Sequence, residues 1–480
     1  MRGLVAYGAY IPHYRLSASA RATMLGKGGG KGMRAVASYD EDTTTMGVEA
    51  ARTTLLGVPA VAAPERLYFA TTNPAYLDKT NAAVLHAALG MNRSALAVDT
   101  GGAPRSAVAA ILAAAESREP ALAVLSELRT GLSGGAEEMN SGDAAAALLF
   151  GEDSSDAPVI AELIATGWST DEFLDRWRVP GEPASRVWEE RFGEHAYGPL
   201  AEESFAAALK RADLAADQLD HVVVCGLAGR AVKRFAATSG ARREALAPDL
   251  SKTIGNTGTA QPGLLLADVL DRAEPDQTIA VVVLADGAST LILRTTKALR
   301  TTRRPRPSVA EQLDAGDAGL SYATFLSWRG LLPGEPPRRP EPDAPAAPPT
   351  YRSEGYKYGF TGTRCDECGT VHLPPARVCY RCGSVDRMSP QPMAGAAATV
   401  ATFTIDRLAF TPSPPMIAVV VDFEGGGRFR CEATDAEPGS IAIGDRVELT
   451  FRRLFTADGV HNYFWKARPA RGARAGNEED

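Results

Sequence analysis

Cys365 and Cys368 form the pair CDEC, Cys379 and Cys382 the pair CYRC, and ten residues separate the two. Each C-x-x-C lets a tight turn offer two thiolates to one ion, and two such pairs close a tetrahedral site with no open coordination position. The expected ligand of Cys365, Cys368, Cys379 and Cys382 is therefore a structural zinc ion, and the expected local fold a zinc ribbon. Disulfides are the competing use of such spacing. A chain of 480 residues with only two other cysteines, Cys225 and Cys431, reads instead as a protein of a reducing compartment.

The opening MRGLVAYGAYIPHYRL places Gly, Pro and His where a signal peptide needs an unbroken apolar run, and Asp99 and Arg105 break the Ala-rich stretch from Ala95 to Ala115. A cytoplasmic protein without a membrane span is expected. With 45% hydrophobic and 23% charged residues, the chain has room for roughly two to four domains. Its 51 basic against 58 acidic residues, a net charge of −7, argue against a general binder of phosphate backbones.

Residues 333–349, PGEPPRRPEPDAPAAPP, hold eight prolines and no large apolar side chain, so they cannot pack a core and should form an extended, semi-rigid spacer. Just before it, SYATFLSWRGLL (321–332) carries apolar residues at helical spacing, as a short helix docking one half of the chain on the other would. Residues 301–350 are thus a docking helix with a Pro-rich linker, and 351–387 the zinc ribbon. From 388 to 470, the short alternating runs ATVATFTI, PMIAVVVDF, RVELTFRRLF and HNYFWKAR predict a small β-barrel, with a flexible tail over 471–480.

The first 300 residues follow another pattern. Compact apolar runs, RLYFA (66–70), ALAVL (121–125), HVVVCG (221–226) and IAVVVLADG (279–287), alternate with Ala-rich amphipathic stretches, which predicts buried strands in a layered α/β core. GDAAAALLFG (142–151) and ADGASTLILR (285–294) read as counterparts, each a small-residue turn feeding a buried strand. Two similar halves are expected, about 1–165 and 166–300.

Four segments, VAYGAYIPHYRL, DEDTTTMGVEAAR (40–52), GDAAAALLFG and IGNTGTAQPGLLLADVL (254–270), together resemble the thiolase superfamily. The likeness is to its 3-hydroxy-3-methylglutaryl-CoA synthase and ketoacyl-ACP synthase III branch, over about residues 1–300. The C-terminal part, with its four cysteines, TFTIDRLAF and TFRRLFTADGVHNYFWKARP, resembles the zinc-ribbon and OB-fold proteins that accompany thiolases as separate subunits. The resemblance implies a duplicated α/β/α core, a zinc ribbon and an OB fold, with a CoA thioester as substrate.

It also implies a catalytic set. In that family a cysteine at a helix N-terminus becomes the acyl-accepting thiolate, a His and an Asn hold the second thioester, and a Glu moves protons. Here the cysteine position falls in AVDTGGAPRSAVAAIL (97–112), on Gly101 with Thr100 beside it, and the Glu position on Thr72 or Asn73. Cys225 takes the His position, and Arg230 and Arg234 follow where basic CoA contacts are expected. His221 cannot substitute, because four residues along a strand displace it by about 13 Å. Asn256, in IGNTGTA, is retained.

An acyl-cysteine mechanism is therefore not expected. Cys225 ends an apolar strand, where a small buried hydrophobe is its ordinary use and a relocated nucleophile the alternative. Thr100 has no visible base beside it. The N–H groups of Gly101 and Gly102 can instead cradle an oxyanion at the start of a helix, with Asn256 as a second donor and Tyr76, Asp78 or Asp99 as the base.

The reading that results is an acyl-CoA protein, homodimeric through segment 95–110, that forms or cleaves a carbon–carbon bond next to the thioester, aldolase-like or decarboxylative. A conventional acyltransferase is a second reading. A CoA-thioester-binding or scaffold subunit, partner to a thiolase or another acyl-CoA enzyme, is a third. Nucleic-acid binding is a fourth: Phe451, Phe455, Tyr463, Phe464 and Trp465 could stack bases, with Arg452, Arg453, Lys466 and Arg468 as charge.

Overall fold

The computed structural model describes residues 1–26, 30–302, 306–335, 337–338, 340 and 342–470, so the expected tail 471–480 lies outside the described residues. The chain divides into two compact units. The first comprises Met1–Ser38, Asp42–Ala83 and Met91–Arg329, and the second Tyr39–Glu41, Val84–Gly90 and Gly330–Asp480.

In the first unit the β-branched and Ala-rich runs become nine strands. They are β1 (Arg2–Tyr10), β2 (Arg66–Thr71), β3 (Leu96–Gly101), β4 (Ala121–Glu127), β5 (Ala144–Glu152), β6 (Ala161–Ser169), β7 (His221–Gly226), β8 (Thr278–Leu284) and β9 (Ala288–Thr295). Their order across the sheet is β7-β8-β9-β6-β1-β5-β4-β2-β3. In one leaf β1 runs antiparallel to β5, β5 antiparallel to β4, and β4 parallel to β2. The other leaf repeats this with β6, β9, β8 and β7. The strands of the first leaf span Arg2–Glu152 and those of the second Ala161–Thr295, so the expected boundary between 165 and 166 falls inside β6. Their strands join across the sheet where Leu4 pairs with Ala161.

Burial explains the continuous apolar character of these strands. Along β7, Val223 and Cys225 face one hydrophobic cluster while Val222 and Val224 face another, so both faces are covered. The first cluster contains α2 (Ser106–Ala115) and α5 (Gln261–Arg272); the second contains α3 (Glu190–Ala212) and α4 (Gly229–Thr238). Helix α5 packs on strands of both leaves, and α1 (Thr43–Leu55) covers β1, β4 and β5. Asp42 caps α1, accepting from the N–H of Thr45 while the Thr45 hydroxyl accepts from the N–H of Asp42. The α/β/α expectation is met twice over, with the helix layer of α5 shared between the leaves.

The helix expected within 321–332 spans Tyr322–Trp328 and belongs to the first unit, where Tyr322 and Phe325 are buried and the Tyr322 hydroxyl donates to Glu138. The Pro-rich spacer is not extended throughout. Ala347–Arg352 is helical, with prolines in its first turn, where a missing N–H breaks no helical bond.

The second unit holds a three-stranded ribbon (Thr361–Cys365, Val371–His372, Met388–Pro392) and a five-stranded antiparallel sheet. The latter runs through β10 (Ala398–Asp406), β11 (Met416–Phe423), β12 (Arg428–Glu432), β13 (Arg446–Ala457) and β14 (Val460–Pro469). Ala433 bridges to Ala467 just past β12, which joins the two ends of that sheet into a small barrel. Its core is aromatic: the ring of fully buried Phe360 lies 5.1 Å from that of Phe429 and 6.0 Å from that of Trp465.

Most of the aromatic and basic residues that could stack bases are part of this packing. Phe451, Tyr463 and Trp465 are buried, as are Arg452, Lys466 and Arg468. Phe455, Phe464 and Arg453 are half-buried. The Arg452 guanidinium lies 2.6 Å from Glu41 and 2.6 Å from Asp435, and the Lys466 ammonium 3.0 Å from Asp40 and 2.8 Å from Glu432. Burial alone would lower the Lys466 pKa, but Asp40, Tyr39 and Glu432 outweigh it and hold the ammonium above its usual range.

Candidate functional site

Because β2, β3 and β4 run parallel, their carboxyl ends fall together, and open α/β sheets bind ligands at that edge. Thr71, the last residue of β2, pairs with Gly101, the last of β3, while β4 ends at Glu127 and β7 at Gly226. Beyond these ends lies a cavity of about 620 Å³ whose lining includes Thr72, Gly102, Arg129, Asp175, Tyr197 and Leu227. No cysteine or histidine is among the described residues that line it.

Of the catalytic candidates Thr100, Gly101, Gly102, Cys225 and Asn256, Gly102 alone is among the described residues that line this cavity. Gly102 lines the cavity with φ of 103°, and a Cβ there would meet nothing within 4 Å. Helix α2 begins only at Ser106, whose hydroxyl donates to the Gly101 carbonyl, so the glycines form the turn ahead of the helix rather than its first residues. Thr100 is half-buried, and its hydroxyl donates to the Phe69 carbonyl over 3.4 Å.

The amide of Asn256 is engaged at both ends: it donates to the Gly226 carbonyl over 2.8 Å and accepts from the Gly258 N–H over 2.9 Å. Gly226 immediately precedes the cavity-lining Leu227, so Asn256 borders the pocket without being part of its lining.

Cys225 is 3% exposed, and burial pushes its thiol up to about 12. At ordinary pH it is a protonated core residue. His221, at the opposite end of β7, pairs with Gln277. The three candidate bases are not in the lining either. Asp99 accepts from the N–H groups of Asn81 and Ala82, a local structural role. Arg230 and Arg234 stand exposed on α4 and pair with Glu190 and Glu194 of α3.

Sequence reasoning missed three acid-bearing positions. The Glu127 carboxylate, fully buried at the end of β4, accepts from the Thr72 hydroxyl over 2.5 Å and from the Thr259 N–H over 3.3 Å, with Arg129 at 3.7 Å. Asp175 and Tyr197 form the second group. The Tyr197 phenol is hydrogen-bonded to Asp175 and accepts from the Asp286 N–H over 3.3 Å. Burial raises the Asp175 pKa, Asp286 adds to the rise, and Arg176 opposes it. None of these residues sits in a spacing motif; the sheet topology and the approach of α3 bring them in.

In the second unit the four cysteines converge. All four sulfurs lie within 4.8 Å of one another, with Cys365 to Cys382 at 3.6 Å and Cys368 to Cys379 at 3.5 Å. A tetrahedral zinc with bonds of about 2.3 Å has sulfur–sulfur edges of about 3.8 Å, so the cluster fits that ion. Hydrogen bonding from Thr370 pulls the Cys368 thiol down to about 6; at Cys382 a hydrogen bond with Ser384 pulls the same way, but burial and the thiols of Cys368, Cys365 and Cys379 outweigh it and push that thiol up to about 12.

Comparison with known proteins agrees with both units. Residues 352–386 match the family model described as "ChsH2, rubredoxin-like zinc ribbon domain", and residues 390–452 that described as "ChsH2, C-terminal OB-fold domain". The chain is 28% identical over 334 residues to the hydroxymethylglutaryl-CoA synthase of Methanopyrus kandleri, covering 65% of this chain and 93% of that protein. It is 28% identical over 352 residues to that of Picrophilus torridus, covering 69% and 98%. A crystal structure of an HMG-CoA synthase complexed with CoA superposes with a TM-score of 0.57 at 20% identity, over 68% of this chain and 89% of that one. The 3-oxoacyl-(acyl carrier protein) synthase III of Pseudomonas aeruginosa does so at 0.52 and 21%, over 62% and 98%. The chain thus joins a thiolase-like α/β unit, similar in sequence to the hydroxymethylglutaryl-CoA synthases, to a zinc ribbon and an OB fold of the ChsH2 type.

Proposed function

We propose that the thiolase-like unit binds a CoA thioester and forms or cleaves the carbon–carbon bond next to it without an acyl-cysteine intermediate. The observation that carries this is the cavity at the carboxyl edge of β2, β3 and β4, which has Gly102 and no cysteine among the described residues of its lining. The likeness to the hydroxymethylglutaryl-CoA synthases supports the acyl-CoA part of the reading. In it, Asn256 and the N–H groups of Gly101 and Gly102 stabilise the enolate oxygen, and Arg230 and Arg234 contact the CoA.

The test is incubation with acetyl-CoA, acetoacetyl-CoA and 3-hydroxy-3-methylglutaryl-CoA, followed by intact-protein mass spectrometry and product analysis. Turnover without a mass increase on the protein is expected. An acyl adduct would overturn the non-covalent reading, and binding without turnover of any of the three would favour a CoA-thioester-binding or scaffold subunit.

For the second unit we propose one zinc ion held by Cys365, Cys368, Cys379 and Cys382, where it would replace a hydrophobic core too small for the ribbon alone. For the whole protein we propose a cytoplasmic homodimer. Strand β3 supports the dimer: it is the last strand of its leaf, its Leu96 is 45% exposed, and its unpaired edge is the kind that proteins cover. No helix among the described residues is long and apolar enough to cross a membrane.

A further inference from the structure

Glu127 is a fully buried carboxylate with no place in the reaction so far described. Its surroundings differ from those of a salt bridge that serves stability alone. Nearest to it is a hydroxyl, that of Thr72, over 2.5 Å, and Thr72 lines the cavity while Glu127 does not. The other partners, the Thr259 N–H at 3.3 Å and Arg129 at 3.7 Å, are longer.

The neighbouring loop is shaped around the carboxylate. Gly258 has φ of 52°, and a Cβ there would come within 3.0 Å of the Glu127 Cγ. The N–H of that same Gly258 orients the Asn256 amide. One glycine therefore holds the oxyanion donor on one side and leaves room for a carboxylate on the other. Burial keeps Glu127 from water, and its shortest link to the cavity passes through the Thr72 hydroxyl.

Resting on the acyl-CoA reading above, we propose that Thr72 and Glu127 form a proton relay, in which the Thr72 hydroxyl meets the substrate and Glu127 takes up or returns the proton behind it. In the cleavage of a 3-hydroxyacyl thioester, the substrate hydroxyl gives its proton to Thr72 Oγ1 as the Thr72 proton passes to Glu127. The O–H electron pair becomes the new carbonyl bond, the Cα–Cβ bond breaks, and its pair is held as the enolate. The proton then returns through Thr72 to the α-carbon. The sequence is redox-neutral and needs no co-reactant, and condensation is the same path reversed. Thr72 is the catalytic residue of the pair, and Glu127 its positioning and proton-storing partner.

The experiment reads exchange of the α-hydrogens of acetyl-CoA, and cleavage of 3-hydroxy-3-methylglutaryl-CoA, in deuterated water by mass spectrometry, with acyl-CoA affinity measured in parallel by calorimetry. Thr72→Val, which keeps the shape and removes the hydroxyl, should lower both rates by about 10²–10⁴-fold with affinity unchanged, and Thr72→Ser should recover most of the loss. Glu127→Gln should match Thr72→Val. Should Glu127→Gln fail to fold, the Thr72 variants decide alone. A Thr72→Val protein that exchanges and cleaves within about threefold of wild type overturns the relay and leaves the acyl-CoA reading standing. A wild-type protein that binds no acyl-CoA and shows neither exchange nor cleavage overturns both.

Discussion

The side-chain amide of Asn256 donates to the backbone carbonyl of Gly226 over 2.8 Å, tying the turn of Asn256 to the end of β7. An amide has two N–H groups. In the proposed reaction the second donates to the thioester oxygen as charge develops there. Asn256→Ala should therefore cost about 10²–10³ in turnover of an acyl-CoA substrate, the usual loss for one oxyanion donor. It also removes two hydrogen bonds, for about 1–3 kcal/mol of stability in denaturant titration. Unchanged turnover in a folded Asn256→Ala protein would remove Asn256 from the site.

Cys225 should behave oppositely. Cys225→Ala is expected to keep turnover, lose about 1 kcal/mol of stability, and leave no acyl group missing from the protein's mass spectrum. A pH effect follows from its buried thiol. An unfolded cysteine ionises near pH 8.5, at about its free value, whereas the folded thiol is pushed up to about 12, so only the unfolded state gains from alkali between those values. The stability that Cys225 confers is present in full below about pH 8.5 and is lost as the pH rises toward 12. Thermal melts across that window should fall less steeply for Cys225→Ala than for wild type.

Loss of one ribbon ligand tests the metal. Cys379→Ser should lower zinc content below one ion per chain and expose residues 351–470 to limited proteolysis, because metal-binding energy in such a site is folding energy. Full zinc content in that variant would refute the four-cysteine assignment.

In the second unit, Asp40 lies between Arg452 at 3.4 Å and Lys466 at 3.0 Å, all three fully buried. Removing one member leaves buried charge uncompensated. Asp40→Ala should cost about 3–5 kcal/mol in chemical denaturation, far more than the loss of an exposed pair such as Arg377–Asp386. A loss no larger than that of the exposed pair would mean that water reaches the cluster.

Self-association is the fifth expectation. Light scattering at micromolar concentration should give twice the chain mass of 50.6 kDa, and a monomer would count against pairing along β3.

Several of these features could be read before any coordinates existed. The four cysteines carry their geometry in their spacing, because a C-x-x-C turn sets where two thiolates point. The strands ALAVL and HVVVCG announce themselves because a run with no polar face can only be buried on both sides. The turn signal GDAAAALLFG and its counterpart likewise exposed the duplication, whose paired strand orders the sheet then repeated. By contrast, the helix over Ala347–Arg352 was hidden by its prolines, which favour extended chain except in a helix's first turn.

What the sequence determined by itself was thus local: ligand spacing, strand periodicity and turn chemistry. Tertiary structure alone decided which acids lie at the cavity or just behind its wall. Glu127 and Thr72 are separated by 55 residues and meet only because β4 and β2 are parallel neighbours. Asp175 and Tyr197 meet because α3 returns over the end of the sheet. It also buried both faces of β13 and β14: Phe451 and Trp465 fill the barrel, while Arg452 and Lys466, the next residue along each strand and so on the opposite face, find carboxylates. Periodicity shows that a residue lies on a face, but what covers that face depends on long-range pairing, which no local pattern contains.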